Sequence, residues 1–286
     1  MDRNAYYTGT NERLSKMFPL VLVCIMSSGI LLQGISASAK EKTSQKVATI
    51  IFTGDITFDG PLRYFAESNK SCDYKMPFDK VKAFLSDADL RVCNLESPLL
   101  HECSSKTGAI KGKAIHHCGH AKAVTGLKYA GFDLVQLANN HFADYGELGM
   151  KSTMKVLASE GIEYIGVTEN SMKQKPVVRN INGIKIGFLA YCQNKEGCEM
   201  QQGIYKYGPA VYNRHRAKKD IQMLHQTTDI VVVMLHWSKE YAPLPPKGDR
   251  DIAKELSMFG VSLIIGTHPH VIQVTSVNMV EHGNFC

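Results

Sequence analysis

The sequence has no stripe of basic residues interleaved with aromatics, and its formal net charge of +6 is mild and spread along the chain. A nucleic-acid surface concentrates Lys and Arg on one face, so that class of partner is excluded. No internal repeat is present, which excludes a stacked-repeat array, and there is no low-complexity tract. The excess of one sign of charge is small, 33 Lys and Arg against 27 Asp and Glu. Residues 1–39 hold Arg3, Arg13 and Lys16 against Asp2 and Glu12, leaving +5 for the remainder. No continuously apolar run reaches the roughly 20 residues of a membrane-spanning helix. What remains is ordinary globular material: 286 residues, 44% hydrophobic and 21% charged, enough for about one domain with a covered sheet.

The N-terminus reads differently from the rest. Residues 1–17 are polar, Phe18 to Ile35 is almost uncharged, and Ala37-Ser38-Ala39 gives a small-x-small pattern before Lys40. That is the layout of a signal peptide. Ser27, Ser28 and Gln33 dilute the run, so residues 1–39 are expected to be either a cleaved signal peptide or an uncleaved signal anchor. Residues 40–46 form a polar linker, and 47–286 form the folded domain. Both readings place the domain outside the cytosol, secreted or held by a single N-terminal membrane helix.

Eight cysteines fit an oxidising compartment. Cys192 and Cys198 are close enough to clip a short loop, and Cys103 and Cys118 could brace the loop between them. Cys93 sits within an apolar run and reads as a buried free thiol. Connectivity is not fixed by sequence.

From Val47 onward, strand-like and helix-like segments alternate. Continuously apolar, β-branched runs predict strands at Val47–Thr53, Leu90–Cys93, Leu134–Leu137, Val231–Leu235 and Val261–Ile265, suited to a sheet covered on both faces. Helices are predicted near Phe78–Ser86, Ala121–Ala130, Glu147–Glu160, Asn213–Gln226 and Arg250–Phe259. The alternation implies parallel strands. Asn182-Gly183 between Val177–Ile181 and Ile184–Ala190 is a hairpin signal. An antiparallel element therefore joins the sheet, or a second sheet packs on the first.

The strand ends carry the chemistry. They deliver Asp55; Asn94 and Glu96; Asn139, Asn140 and His141; His236; and His268 with His270. In open α/β sheets, ligands bind beyond the carboxyl ends of the strands. Carboxylate, amide and imidazole are ligand types for first-row divalent metals. His268 and His270 are two apart, so extended backbone would point both to one side. Each residue alone has a plain structural reading: Asp55 as a turn cap, Asn139-Asn140 as a turn, a lone His as a hydrogen-bonded core group. The joint pattern points to one metal site.

The motifs Gly54-Asp55, Asn94-Leu95-Glu96-Ser97-Pro98, Ala138-Asn139-Asn140-His141 with Asp144-Tyr145-Gly146, His236-Trp237 with Glu240-Tyr241, and Gly266-Thr267-His268-Pro269-His270 carry a resemblance. Their series resembles the CapA family of poly-γ-glutamate capsule synthesis proteins, a branch of the calcineurin-like metallophosphoesterases. The resemblance runs from about residue 47 to the end. It implies a four-layer α/β/β/α fold with one or two divalent ions (Mn, Fe or Zn). By motif, Asp55 and His270 would bind the first metal, Asn140, His236 and His268 the second, and Glu96 would bridge them. His141 would protonate or stabilise the leaving oxygen of a phosphoester.

There are departures. Ile56-Thr57 follows Asp55 where the wider superfamily has Asp-x-His, so the first metal has one imidazole fewer. Ser238, beside Lys239, stands where the family has Gly and is expected to crowd the site. His282 to Cys286 resembles a family segment that normally comes later, which suggests an incomplete or rearranged C-terminus. The cluster His116-His117-Cys118-Gly119-His120 reads as a surface loop, since a zinc site needs four placed ligands. Tyr205, Tyr207 and Tyr212 read as packing. The resemblance implies a metal-dependent hydrolase acting on a phosphoester or polyglutamate-type substrate. The alternative is a non-hydrolytic, membrane-anchored accessory protein of capsule-polymer synthesis or export, working with membrane partner proteins.

Overall fold

The computed structural model describes residues 23–24, 46–68, 73–103, 109–110, 113–170, 173–193, 197–199 and 203–276. Apart from Val23, Cys24 and Lys46, the expected signal segment and linker lie outside the described residues, as does the His282–Cys286 segment. Among the described residues no helix is long and apolar enough to cross a membrane.

The chain folds as a mixed α/β structure with two sheets rich in parallel strands. In the first, Thr49–Ile56 (β1), Leu90–Leu95 (β2), Leu134–Gln136 (β3) and Glu163–Ile165 (β4) run parallel in that order. Val23–Cys24 pairs antiparallel with β1 at the edge. Four helices occur along this half: Gly60–Ser68 (α1), Lys82–Ser86 (α2), Val124–Ala130 (α3) and Gly146–Ser159 (α4). In the second sheet, Val177–Ile181 (β5) pairs antiparallel with Ile184–Cys192 (β6), and β6, Ile230–His236 (β7) and Leu263–Thr267 (β8) are parallel. Arg214–His225 (α5) and Lys247–Met258 (α6) are the crossovers. Of the two arrangements that the hairpin signal allowed, the second holds: the predicted apolar strands divide between two sheets. Runs buried on both faces look alike in sequence whichever sheet they join.

Pleating explains how the first sheet serves two cores. Val92 and Leu134 belong to a cluster shared with Phe188, Val232 and Leu235 of the second sheet. Their neighbours Cys93 and Val135 point the other way, into a cluster with Leu127, Met150 and Leu157 of the helices. Helix α5 begins where the Asn213 side chain accepts from the Arg216 amide at 3.1 Å. It buries Ala217, Ile221 and Leu224, one stripe at helical spacing. Each of the two larger side chains contributes about 1.5–3 kcal/mol by burial. The β5–β6 turn has Asn182 at φ 53° and Gly183 at φ 82°, the left-handed pair that a tight hairpin with strand-matched twist requires.

Three short strands that sequence did not suggest, Val167–Glu169, Lys173–Gln174 and Tyr207–Pro209, form a small separate sheet. Tyr205 and Tyr207 pack on the helical core, and Tyr212 donates its hydroxyl to Glu255 at 2.9 Å, in keeping with packing roles. Cys103–Cys118 and Cys192–Cys198 are disulfides, and Cys93 is a buried free thiol.

Candidate metal centre

Strands β1, β2, β3, β7 and β8 end at one place on the seam between the sheets. Three donor sets each have their ligand atoms within 4.8 Å of one another: Asp55, Glu96 and His270; Glu96, His236 and His268; Glu240, His268 and His270. Glu96 is common to the first two. His270 Nε2 is 3.8 Å from both Asp55 Oδ2 and Glu96 Oε1, and His236 Nε2 is 3.8 Å from Glu96 Oε1. A cavity of about 460 Å³, lined in part by Asp55, Thr57, Glu96, His268 and His270, opens here.

Asn94, wholly buried, ties the strand ends together. It donates to Asp55 Oδ1 at 2.7 Å and lies 3.3 Å from His236 Nδ1, while its carbonyl accepts from Gln136 and Asn139. Asn139 shapes the turn rather than joining the candidate metal ligands. Its oxygen accepts from the amides of His141 and Phe142, which aims the next two side chains. Asn140 Oδ1 then meets His236 Nε2 at 2.8 Å. The other ring nitrogen of His236 is 3.0 Å from Thr267 Oγ1. A proton on that Nδ1 leaves Nε2 as a lone pair toward the acidic side of the site.

The histidines after β8 are not placed by pleating. His268 has φ 94° and His270 φ 56°, so the backbone there is left-handed, not extended. A tight turn, pinned where the His268 amide donates to Asp55 Oδ2 at 3.0 Å, brings the rings to 5.9 Å. Such conformations cost about 1–3 kcal/mol each and persist where surroundings over-determine them. Ser238 does not crowd the cavity. At φ 79° it occupies a left-handed position, and its side chain engages Asp249 and accepts from Gln273 at 3.4 Å.

The donors suit a divalent cation. Burial and neighbouring imidazoles hold His236 well below the usual histidine range, and burial lowers His268 too. Both rings therefore offer lone pairs near neutral pH. Burial, then the Asp55 charge, pushes Glu96 up to about 8. A cation between those carboxylates would reverse that repulsion. Mixed nitrogen and oxygen donors without thiolate suit first-row divalent ions.

His141 is buried, close enough to His236 for its charge to lower that ring's pKa. Its Nδ1 donates to Asp144 Oδ2 at 2.7 Å, and Lys113 bonds the other Asp144 oxygen and donates to Asn140 O at 2.6 Å. The His117 ring lies 3.9 Å from that of His141, and its Nδ1 is 3.1 Å from Asp59 Oδ2. The segment read as a surface loop thus reaches the site. The Cys103–Cys118 bridge folds it inward, which sequence could not indicate because pairing was undetermined. Lys113, His117, Asp59 and Asp144 were missed as neighbours of His141. Asp144, inside a recognised motif, and His117, inside the histidine-rich cluster, left signals; Lys113 and Asp59 did not.

An α/β domain with carboxylate and imidazole donors gathered at the carboxyl ends of its strands belongs to the class of α/β proteins with a candidate metal site at the strand ends. The chain belongs to the bacterial capsule synthesis protein PGA_cap family, whose family model matches residues 49–284. It is 30% identical over 264 residues to the capsule biosynthesis protein CapA of Bacillus anthracis, covering 90% of this chain and 62% of that one. It is 27% identical over 278 residues to the PGA biosynthesis protein CapA of Bacillus subtilis, covering 94% of this chain and 69% of that one. The chain therefore spans just under two thirds of the length of the first of these relatives. Among solved structures, the calcineurin-like phosphoesterase YfkN of Bacillus subtilis aligns with TM-score 0.47 at 14% identity, covering 79% of this chain and 73% of that one.

Proposed function

We propose that the protein is a metal-dependent hydrolase of the phosphoesterase type, acting outside the cytosol on a phosphoester or polyglutamate-type substrate. The observation that carries this reading is Glu96 shared between two donor sets, with the buried His141–Asp144 pair close enough for the His141 charge to act on His236. Asp55, Glu96 and His270 would hold one ion; Glu96, Asn140, His236 and His268 would hold the other. When bound, such ions supply Lewis acidity to the substrate's oxygens and acidify water.

The residues supply the rest. With a proton on His141 Nδ1 shared with Asp144, and Lys113 Nζ 3.0 Å from the same nitrogen, Nε2 is the atom that would deliver a proton to the leaving oxygen. Burial lowers the pKa of His141 despite the Asp144 bond, which makes its imidazolium a stronger acid. Lys113 holds Asp144 against that ring and neutralises its charge. Two disulfides support an oxidising compartment.

The test is hydrolysis of aryl phosphate mono- and diesters with and without Mn²⁺, in wild type, His236→Ala and His141→Ala. His236→Ala should lose metal dependence. His141→Ala should retain metal binding and lose about 10²–10⁴-fold in kcat. Turnover that ignores metal and both substitutions would sink the reading. Thr57, in place of an imidazole, favours the second reading of a non-hydrolytic, anchored accessory in capsule-polymer synthesis. Full cellular complementation by a chain lacking residues 1–39 would eliminate its anchored form.

A further inference from the structure

The set Asp55, Glu96 and His270 lacks the imidazole that an Asp-x-His motif would supply, because Thr57 occupies that position and lines the cavity. Glu240 belongs to another donor set, with His268 and His270. It sits in the loop after β7, and that loop is tied to the histidine turn at several points. The Tyr241 amide donates to Pro269 O at 2.7 Å, the Trp237 amide donates to Thr267 O at 3.2 Å, and the Gln273 side chain donates to Ala242 O at 2.9 Å. The Tyr241 ring meets His270 edge-on at 5.8 Å. Backbone in the left-handed region at Ser238 and Tyr241 reverses the chain on either side of Glu240. Its carboxylate consequently stands within 4.8 Å of donor atoms of both His268 and His270.

We propose that Glu240 is a metal ligand, replacing with a carboxylate from the β7 loop the imidazole missing at Thr57. The inference rests on the metal-centre reading above. Charge supports it. With neutral imidazoles, Asp55 and Glu96 bring two negative charges to a site for up to two divalent ions, and Glu240 brings a third. Donor chemistry gives the consequence. Exchanging an imidazole for a carboxylate hardens the donor set, which moves preference from zinc toward manganese or magnesium.

The experiment is Mn²⁺ and Zn²⁺ titration of the full chain by calorimetry, with Mn²⁺ electron paramagnetic resonance. It uses wild type, Glu240→Gln, Glu240→Asp, and Glu240→Gln combined with Thr57→His. Glu240→Gln should weaken one Mn²⁺ site at least tenfold, the lower end of what even outer-sphere partners cost. Zn²⁺ should be affected less, and Thr57→His should restore binding with Zn²⁺ now favoured. Wild-type binding with Glu240→Gln unchanged overturns the role of Glu240 and leaves the metal centre standing. Absence of any binding in wild type overturns both. Urea unfolding in EDTA checks folding; should Glu240→Gln prove unfolded, Glu240→Asp, which keeps the charge and shortens the reach, decides by the same tenfold criterion.

Discussion

Replacing Glu96 by Gln separates the electrostatic cost of the site from its chemistry. Burial and the Asp55 charge raise the Glu96 carboxyl from 4.5 to about 8. In metal-free protein the folded state therefore keeps a proton that the unfolded chain releases above pH 4.5. The sign follows: this group's contribution to stability is fully present below pH 4.5 and is lost as pH rises through 8. At about 1.36 kcal/mol per pKa unit, wild type should lose roughly 3 kcal/mol relative to Glu96→Gln between pH 5.5 and 8. Histidines buried neutral titrate in the same range with the opposite sign, and they cancel in the comparison. Urea unfolding in EDTA can be followed by the fluorescence of Trp237, the single tryptophan, which adjoins His236. Adding Mn²⁺ at pH 8 should stabilise wild type well above Glu96→Gln, because the cation takes the place of the proton. Parallel pH dependences of the two metal-free proteins would refute the argument.

Three further outcomes follow from the geometry. Ser238 combines a left-handed backbone with a hydroxyl on Asp249, so Ser238→Ala should cost about 1–2 kcal/mol and Ser238→Gly about 1 kcal/mol less than that; equal losses in urea unfolding would remove the strain from the account. A Cβ on Gly197 would run into the Asn140 carbonyl oxygen and Cβ, so Gly197→Ala should cost about 1–3 kcal/mol and weaken Mn²⁺ binding in a calorimetric titration. The Cys103–Cys118 bridge spans 15 residues, and its removal by Cys103→Ala with Cys118→Ala should cost about 3 kcal/mol. It should also lower kcat more than Mn²⁺ affinity, since the loop carries Lys113 and His117 and no proposed ligand.

Strand ends were legible because buried parallel strands have continuous apolar runs and their polar terminators stand out against them. Ile230–His236 is wholly buried to its last residue, and the run stops on the histidine that joins the donors. The Asn182-Gly183 hairpin was legible because two adjacent left-handed residues have a narrow sequence preference. Which strands join which sheet was not, since Val92 and Val232 look alike before partners are known. The loop carrying Lys113 and His117 was misjudged because only its disulfide reveals where it folds. Glu240 was seen within a motif but not as a neighbour of His268 and His270, because a turn stabilised by tertiary hydrogen bonds leaves no periodic trace. The turn at His268 and His270 was misread for the same reason: pleating was assumed where the backbone is left-handed.

Asp55 and His268, joined by a backbone hydrogen bond, are 213 positions apart. Closing so long a loop from an open chain costs about 5 kcal/mol on the logarithmic rule, and contacts of this range form late. During synthesis no cation can find its full set of donors until the chain has emerged past His270 and both sheets have docked. On the proposed metal centre, ion capture would therefore act as a completion signal. A chain stalled, nicked or mispaired between the two sheets would stay unloaded and be marked by that deficit, whatever its local secondary structure.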